Sequence, residues 1–218
     1  MKREALVNES VYHVFSRSIA GYRVLNNEDE YQRLKDVIRY YKKEKPEVRF
    51  ARYLKLSQED KLSIDNKHQG REHIVEIISY CFMPTHLHLI LRQKKENGIS
   101  KYVGNILNSY TKYFNTKHGR KGPLWEDRFK SIRVENDEYL LHLTRYIHLN
   151  PTTAALVERP EEWLASSYKE FLGSTDISDP ICRFDDLIEI KPKEYKVFVE
   201  DRIGYQQELH KIKTLLLE

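Results

Sequence analysis

Hydrophobic and polar positions follow two different periods along this chain. Residues 11–19, Val-Tyr-His-Val-Phe-Ser-Arg-Ser-Ile, are rich in β-branched and aromatic side chains and predict a first strand. Asn26 and Asn27 followed by Glu28, Asp29 and Glu30 have the form of a helix cap with an acidic first turn. Behind them Tyr31, Leu34, Val37, Ile38 and Tyr41 recur at helical spacing up to a basic turn and Pro46. Residues 46–73 are polar and weakly periodic; they read as an insertion with a short helix over 57–62, opened by Ser57 with Asp60 three residues later. The nearly continuous apolar run 74–83 suits a buried strand, Pro84-Thr85 a tight break, and 86–92 its antiparallel neighbour.

Ser100 is the expected cap of a long helix whose apolar stripe is Val103, Ile106, Leu107, Tyr110 and Phe114, ending in the Gly- and Pro-containing stretch 118–123. Residues 129–134 are strand-like. Asn136 or Asp137 then opens a helix burying Leu140, Leu143 and Ile147 and stopping at Pro151. The remainder is more acidic, with helices expected over 160–172 and 192–217. The order β-α-β-β-α-β predicts an α+β fold: a ferredoxin-like (split βαβ) antiparallel sheet with helices on one face, plus C-terminal helices.

A chain of 218 residues can bury a substantial core. No window approaches 18 consecutive apolar residues, which excludes a membrane-spanning helix, and the first residues lack the apolar region of a secretory signal, so a soluble cytoplasmic protein is expected. Cys81 and Cys182 form no C-x-x-C pair, so neither a disulfide framework nor a thiolate metal site is indicated.

The net charge of +4 conceals an asymmetry. Residues 92–133 carry 11 basic and 3 acidic side chains, whereas residues 134–218 carry 10 basic and 17 acidic ones. A basic middle and an acidic tail suit a surface for a polyanion, although a lysine-rich solvated helix would give the same count. Tyr102, Tyr110 and Tyr113 sit among the basic residues and fit either stacking on nucleic-acid bases or helix packing.

Candidate chemistry lies on either side of this block. His86 and His88 flank Leu87 on an expected strand, so both imidazoles leave one face while Leu87 and Leu89 turn to the core. Two adjacent imidazoles are a natural ligand pair for a divalent metal, though an H-x-H triplet also arises as an ordinary structural pair. On the helix after 137, His142, Tyr146 and Asn150 form one stripe at i, i+4, i+8. A tyrosine hydroxyl is a poor nucleophile at its free pKa near 10, but a neighbouring cation helps it ionise. An Asn carbonyl one turn further on could supply an oxygen ligand. His148 points away from Tyr146 and reads as structural.

These residues fall within longer motifs. Tyr80-Cys81-Phe82-Met83-Pro84-Thr85-His86-Leu87-His88, then Gly122-Pro123-Leu124-Trp125-Glu126-Asp127-Arg128-Phe129-Lys130-Ser131, Tyr146-Ile147-His148-Leu149-Asn150-Pro151 and Trp163-Leu164-Ala165-Ser166-Ser167-Tyr168 follow in order. Together they resemble the REP-associated tyrosine transposase branch of the single-tyrosine HUH transposases, the IS200-like transposases, over roughly residues 8–172. Thr85 stands where that family usually has Asn, and the 46–73 insertion is longer than the family's usual link.

The resemblance implies an HUH transposase domain over 1–151 and a helical C-terminal extension over 152–218. It implies His86, His88 and Asn150 as ligands of Mg²⁺ or Mn²⁺, and Tyr146 as the nucleophile that cleaves single-stranded, hairpin-bearing DNA through a 5′-phosphotyrosine in DNA transposition. Arg92, Lys101, Lys112, Arg120, Lys121, Arg128, Lys130 and Arg133 are the expected DNA contacts. No nucleotide cofactor is expected, since no G-x-x-x-x-G-K-[ST] loop occurs, and one nucleophile per chain makes a homodimer reasonable. Two other readings use the same residues: a catalytically silent DNA- or RNA-binding module, and a metal-dependent hydrolase that activates water.

Overall fold

The computed structural model describes residues 5–44, 46–174 and 180–208. Its centre is a four-stranded antiparallel sheet in the order β2-β3-β1-β4, built from β1 (Val11–Arg17), β2 (Val75–Met83), β3 (His86–Gln93) and β4 (Lys130–Arg133). The crossover β1-α1-β2 uses α1 (Glu28–Tyr41), and β3-α4-β4 uses α4 (Gly98–Lys117). This is the expected ferredoxin-like arrangement.

Alternation divides the sheet into two faces. Tyr12 and Val14 from β1, Tyr80 and Phe82 from β2, and Leu87, Leu89 and Leu91 from β3 are buried with α1 and α4 in the larger core. Tyr102 and Tyr110 belong to that core, and their hydroxyls donate to the carbonyls of Ile38 and Val24, so they are packing residues and cannot stack on a base. On the other face Ile78, Cys81, Met83 and Ile90 pack with α5 (Asp137–Thr153), α6 (Tyr168–Phe171) and α7 (Pro192–Glu200). The C-terminal helices therefore cover the β2 side of the face that the crossover helices leave open.

Local chemistry explains most element ends. The Asn27 side chain caps α1 by accepting from the Glu30 N–H (3.1 Å). Glu30 itself is fully buried where α1 meets the end of α4. Desolvation works to raise its pKa, but hydrogen bonds from Asn26, His118 and Lys117 outweigh it and hold the pKa below the ordinary carboxylate value. The insertion is more ordered than its pattern suggested. It forms α2 (Phe50–Tyr53) and α3 (Gln58–Gln69); Ser57 does cap α3, but the helix runs well beyond residue 62. Contacts of Tyr40 with Phe50, Tyr53 and His68 dock it on α1.

Three other boundaries differ from expectation. The long helix starts at Gly98 after Asn97, which has positive φ, and Ser100 is not its cap. α5 continues through Pro151 to Thr153, so the proline lies inside the helix and forgoes the N–H bond to the carbonyl one turn back. The stretch 160–172 contains only a 3-10 turn, Pro160–Glu162, and the short α6. Of the expected helix 192–217, α7 accounts for Pro192–Glu200, residues 203–208 are helical again after a two-residue turn, and residues 209–217 lie outside the described residues. Between the two short elements, residues 165–167 line the outer edge of β2: the Phe82 N–H donates to Ala165 O (2.9 Å) and the Ser167 N–H to Tyr80 O (2.9 Å). The Trp163-to-Tyr168 motif thus closes a sheet edge, with the Trp163 indole N–H donating to Phe82 O (3.0 Å).

Gly98 permits the close approach of α4 to β2, because a Cβ there would collide with the Ile74 carbonyl. Gly98→Ala is expected to destabilise the protein by about 1–3 kcal/mol, as overpacking against backbone does. Urea unfolding reads this directly; an unchanged midpoint would show that α4 shifts freely.

Candidate active site

The open face of the sheet carries the candidate site. On β3, period-2 alternation sends His86, His88, Ile90 and Arg92 to this face. β1 lies beside it in antiparallel register, with Phe15 opposite His88 and Arg17 opposite His86, so Val11, His13, Phe15 and Arg17 share the face. β4 adds Lys130, opposite Phe15, and Ile132, opposite His13, whereas Arg133 lies opposite Tyr12 on the α4 side.

The rings of His86 and His88 are nearly perpendicular with centroids 5.0 Å apart. His13 stacks on His88 at 5.2 Å, and its Nε2 lies 2.9 Å from His88 Nδ1. His86 Nδ1 lies 3.0 Å from Thr85 Oγ1. Burial holds the pKa of His86 down at about 4 and that of His13 at about 4, and lowers His88 further, with the neighbouring histidines and Arg17 adding to the effect. All three rings are therefore neutral at pH 7, the form in which an imidazole nitrogen can ligate a metal.

Tyr146 comes down on this row from α5. Its ring stands edge-on to His88, centroids 6.1 Å apart, and is 44% exposed. α5 is held by the burial of Leu140, Leu143, Ile147 and Leu149 against β2. It is also held by a buried polar network. His148 Nε2 meets Ser79 Oγ (3.0 Å) and Ser167 Oγ (2.8 Å), and its Nδ1 meets the Tyr195 hydroxyl (2.7 Å), which donates to Thr144 Oγ1 (3.0 Å). His148 is thus a structural residue tying α5 to β2, the edge segment and α7. His142 is occupied elsewhere: its Nδ1 accepts from Arg145 (2.7 Å) and its ring contacts Phe198.

Asn150, one turn beyond Tyr146, is half-buried, and its Nδ2 has no hydrogen-bond partner. Among the described residues no hydrogen bond joins Asn150 to the histidine pair. Among the described residues no group of three or more His, Cys, Asp or Glu side chains is arranged to hold a metal. The residues present nevertheless fit a divalent cation. Two neutral imidazoles share one face, the half-buried Asn150 amide follows the tyrosine one turn on with its Oδ1 as the atom able to ligate, and further donors can come from water or a phosphate. His13 and Arg17 were not singled out by their sequence, because only the pairing of β1 with β3 brings them to the pair.

The basic block separates into two populations. Arg92 is held by Glu76 and by Asp186 (2.6 Å), Lys94 by Glu9 (2.7 Å), Lys95 by Glu44 (2.9 Å) and Lys117 by Glu30 (3.0 Å). Lys101, Lys112, Lys121, Arg128, Lys130 and Arg133 are exposed and enter no ion pair among the described residues. Arg120 bonds Asn115 and packs over the Tyr22 ring. Of the expected DNA contacts, strand pairing sets Arg92 and Lys130 on the histidine face, and of these two only Lys130 enters no ion pair among the described residues.

Residues 52–150 match the family described as "Transposase IS200 like", a span that includes His86, His88, Tyr146 and Asn150 and leaves β1 outside. The family resemblance carried by the motifs is thereby borne out. No curated protein matches the chain. The fold is similar to that of a REP-associated tyrosine transposase solved bound to a REP hairpin, with a TM-score of 0.54 and 17% identity over 87% of this chain and 98% of that one. A candidate transposase from Deinococcus radiodurans R1 aligns more loosely, with a TM-score of 0.37 and 16% identity over 67% of this chain and 95% of that one. Among the described residues, no helix is long and apolar enough to cross a membrane.

Burial lowers the pKa of His148 to about 3, so the unfolded chain binds a proton on this residue below pH 6.5 that the folded chain refuses. Its contribution to stability is complete above pH 6.5 and declines as pH falls, at up to about 1.4 kcal/mol per pH unit. Urea unfolding between pH 7 and 5 is expected to show this slope, and His148→Gln to flatten it by about one proton. An unchanged slope in that variant would mean that His148 is not buried as a neutral ring.

Proposed function

We propose that this protein, with its IS200-like transposase region at residues 52–150, is a metal-dependent single-stranded DNA endonuclease and strand transferase acting on hairpin-bearing DNA. The observation that carries the reading is the position of the exposed Tyr146 ring over His88, with His86 beside it on the same face. A nucleophile and a metal-ligand pair then face one another across an open surface where a strand can lie.

His86 and His88, with the Asn150 amide as a further donor, would hold Mg²⁺ or Mn²⁺, which when bound neutralises charge on the scissile phosphate and contributes several kcal/mol to the transition state. The Tyr146 hydroxyl attacks phosphorus. A phosphotyrosyl bond forms at the 5′ side as the P–O3′ bond breaks, the tyrosine proton passes to solvent and the leaving 3′-oxygen becomes a hydroxyl. The phosphodiester energy is retained in the tyrosyl ester for transfer to a second strand. Arg17 and Lys130, at the margins of the same face, supply positive charge for the flanking phosphates. A cytoplasmic setting and a second copy to hold the other cleaved end are parts of the same reading.

Incubation with Mn²⁺ and labelled hairpin-bearing single-stranded DNA is expected to give an SDS-stable protein–DNA adduct. Tyr146→Phe is expected to lose adduct and cleavage by roughly a thousandfold or more. Cleavage without an adduct that survives in Tyr146→Phe would establish the water-using hydrolase instead; binding without cleavage of any such substrate would establish the binding module. Arg17→Ala and Lys130→Ala should each weaken binding across sequences and reduce the salt slope of log K by about 0.7, as loss of one single-strand phosphate contact does. Slopes equal to wild type would remove these two residues from the DNA path.

A further inference from the structure

The two candidate ligand histidines share an asymmetry that neither their motif nor their spacing contains. In each ring Nδ1 has a protein partner: Thr85 Oγ1 at 3.0 Å for His86, and His13 Nε2 at 2.9 Å for His88. In each ring Nε2 has none among the hydrogen bonds of the described residues. The partners are chemically different and come from different elements, the β2–β3 turn and β1, yet they engage the same ring nitrogen. A neutral imidazole carries one proton, and the nitrogen that bears it cannot ligate a metal. Whichever nitrogen is held as a donor decides which one offers a lone pair.

We propose that Thr85 and His13 are positioning residues that accept the Nδ1–H protons of His86 and His88, fixing the tautomer in which both Nε2 lone pairs are free on the open face. His13 suits this role. It stacks nearly parallel to His88, with an interplanar angle of 19°, and β1 pairing fixes its place. Its Nε2, 2.9 Å from His88 Nδ1, accepts when the single His13 proton sits on its own Nδ1. Thr85 is anchored through its own backbone, where its carbonyl accepts from the Ser18 N–H (2.8 Å). Its hydroxyl can therefore replace the Asn usual in the family without loss of a partner for His86. Outer partners of this kind commonly change metal affinity by 10–100-fold.

The inference rests on the metal-dependent reading above, but its first test does not need a metal. In the metal-free full chain at pH 7, ¹⁵N–¹H correlation of the histidine rings, assigned with His86→Asn and His88→Asn, is expected to show both as Nδ1–H tautomers. Thr85→Val and His13→Leu should each return the facing ring toward the Nε2–H form favoured in water, and Thr85→Ser and His13→Gln, which retain an acceptor, should restore it. Nε2–H tautomers in the wild-type spectrum would overturn the proposal, as would unchanged tautomers in folded Thr85→Val and His13→Leu. Should either variant fail to fold, the wild-type spectrum still decides. Mn²⁺ titration followed by electron paramagnetic resonance adds a second readout: the two variants are expected to bind 10–100-fold more weakly, with rescue by Thr85→Ser and His13→Gln. Equal affinity in all variants would overturn the positioning role, whereas absence of Mn²⁺ binding by wild type with Nδ1–H rings would sink the metal-dependent reading and leave the tautomer assignment standing.

Discussion

The central position of β3, hydrogen-bonded to β2 on one side and β1 on the other, is the constraint on which this structure depends. Its sequence alternates leucine with histidine, so register and chemistry are one decision. With Leu87, Leu89 and Leu91 directed at α1 and α4, His86 and His88 must emerge together on the opposite face. A slip of one residue would expose three leucines and press two imidazoles into an apolar core. At about 1.5–3 kcal/mol per leucine, that exceeds what a domain of 5–15 kcal/mol total stability can tolerate. The histidine pair is therefore held by the hydrophobic effect acting on the residues between its members.

A second set of contacts fixes what stands above the pair. Tyr146 is largely exposed and makes little packing of its own; it stays over His88 because the rest of α5 is anchored. The anchor is partly apolar and partly the His148 network, which joins β2, α5, the edge segment and α7 through fully buried polar groups. The Trp163-to-Tyr168 motif belongs to this anchor. Ser167 serves β2 through backbone and side chain alike, and Trp163 bonds Phe82 O, so a motif far from the tyrosine in sequence still bears on where the tyrosine stands. Electrostatics is arranged in the same economical way. Arg92, Lys94, Lys95 and Lys117 are absorbed by carboxylates of other segments, and the positive charge left on the site face comes from Arg17 and Lys130 on the two neighbouring strands.

Much of this was legible in the sequence. The strand and helix order, the caps at Asn27 and Ser57, the stop between β2 and β3, and the shared face of His86 and His88 follow from periods of 2 and 3.6 and from side chains that bond their own backbone within three residues. Such signals are local and need no partner. Where local signals were weak, expectation failed. Residues 46–73 lack an amphipathic stripe because α3 buries little beyond His68, and the first turn of α4 is bonded not by a neighbouring cap residue but by Gln93 at the end of β3, whose Oε1 accepts from the Ile99 N–H (3.3 Å).

Tertiary structure alone decided the rest. Tyr102 and Tyr110 lie in a basic stretch, and nothing local distinguishes a stacking tyrosine from a core one; their burial follows from which face of α4 meets α1. The sum of charges in residues 92–133 is a property of the chain, but which cations remain unpaired depends on carboxylates brought from β2, α1 and the C-terminal segment. His13 is the clearest case. It is 75 residues from His88 and becomes its neighbour only because β1 inserts beside β3 with Phe15 opposite His88. The sequence by itself determined that two imidazoles share one strand face and that Tyr146 and Asn150 share one helix stripe, since short periodicities are written along one strand or one helix. Strand pairing determined which groups surround them, because hydrogen-bond register between distant segments is a balance over the whole sheet.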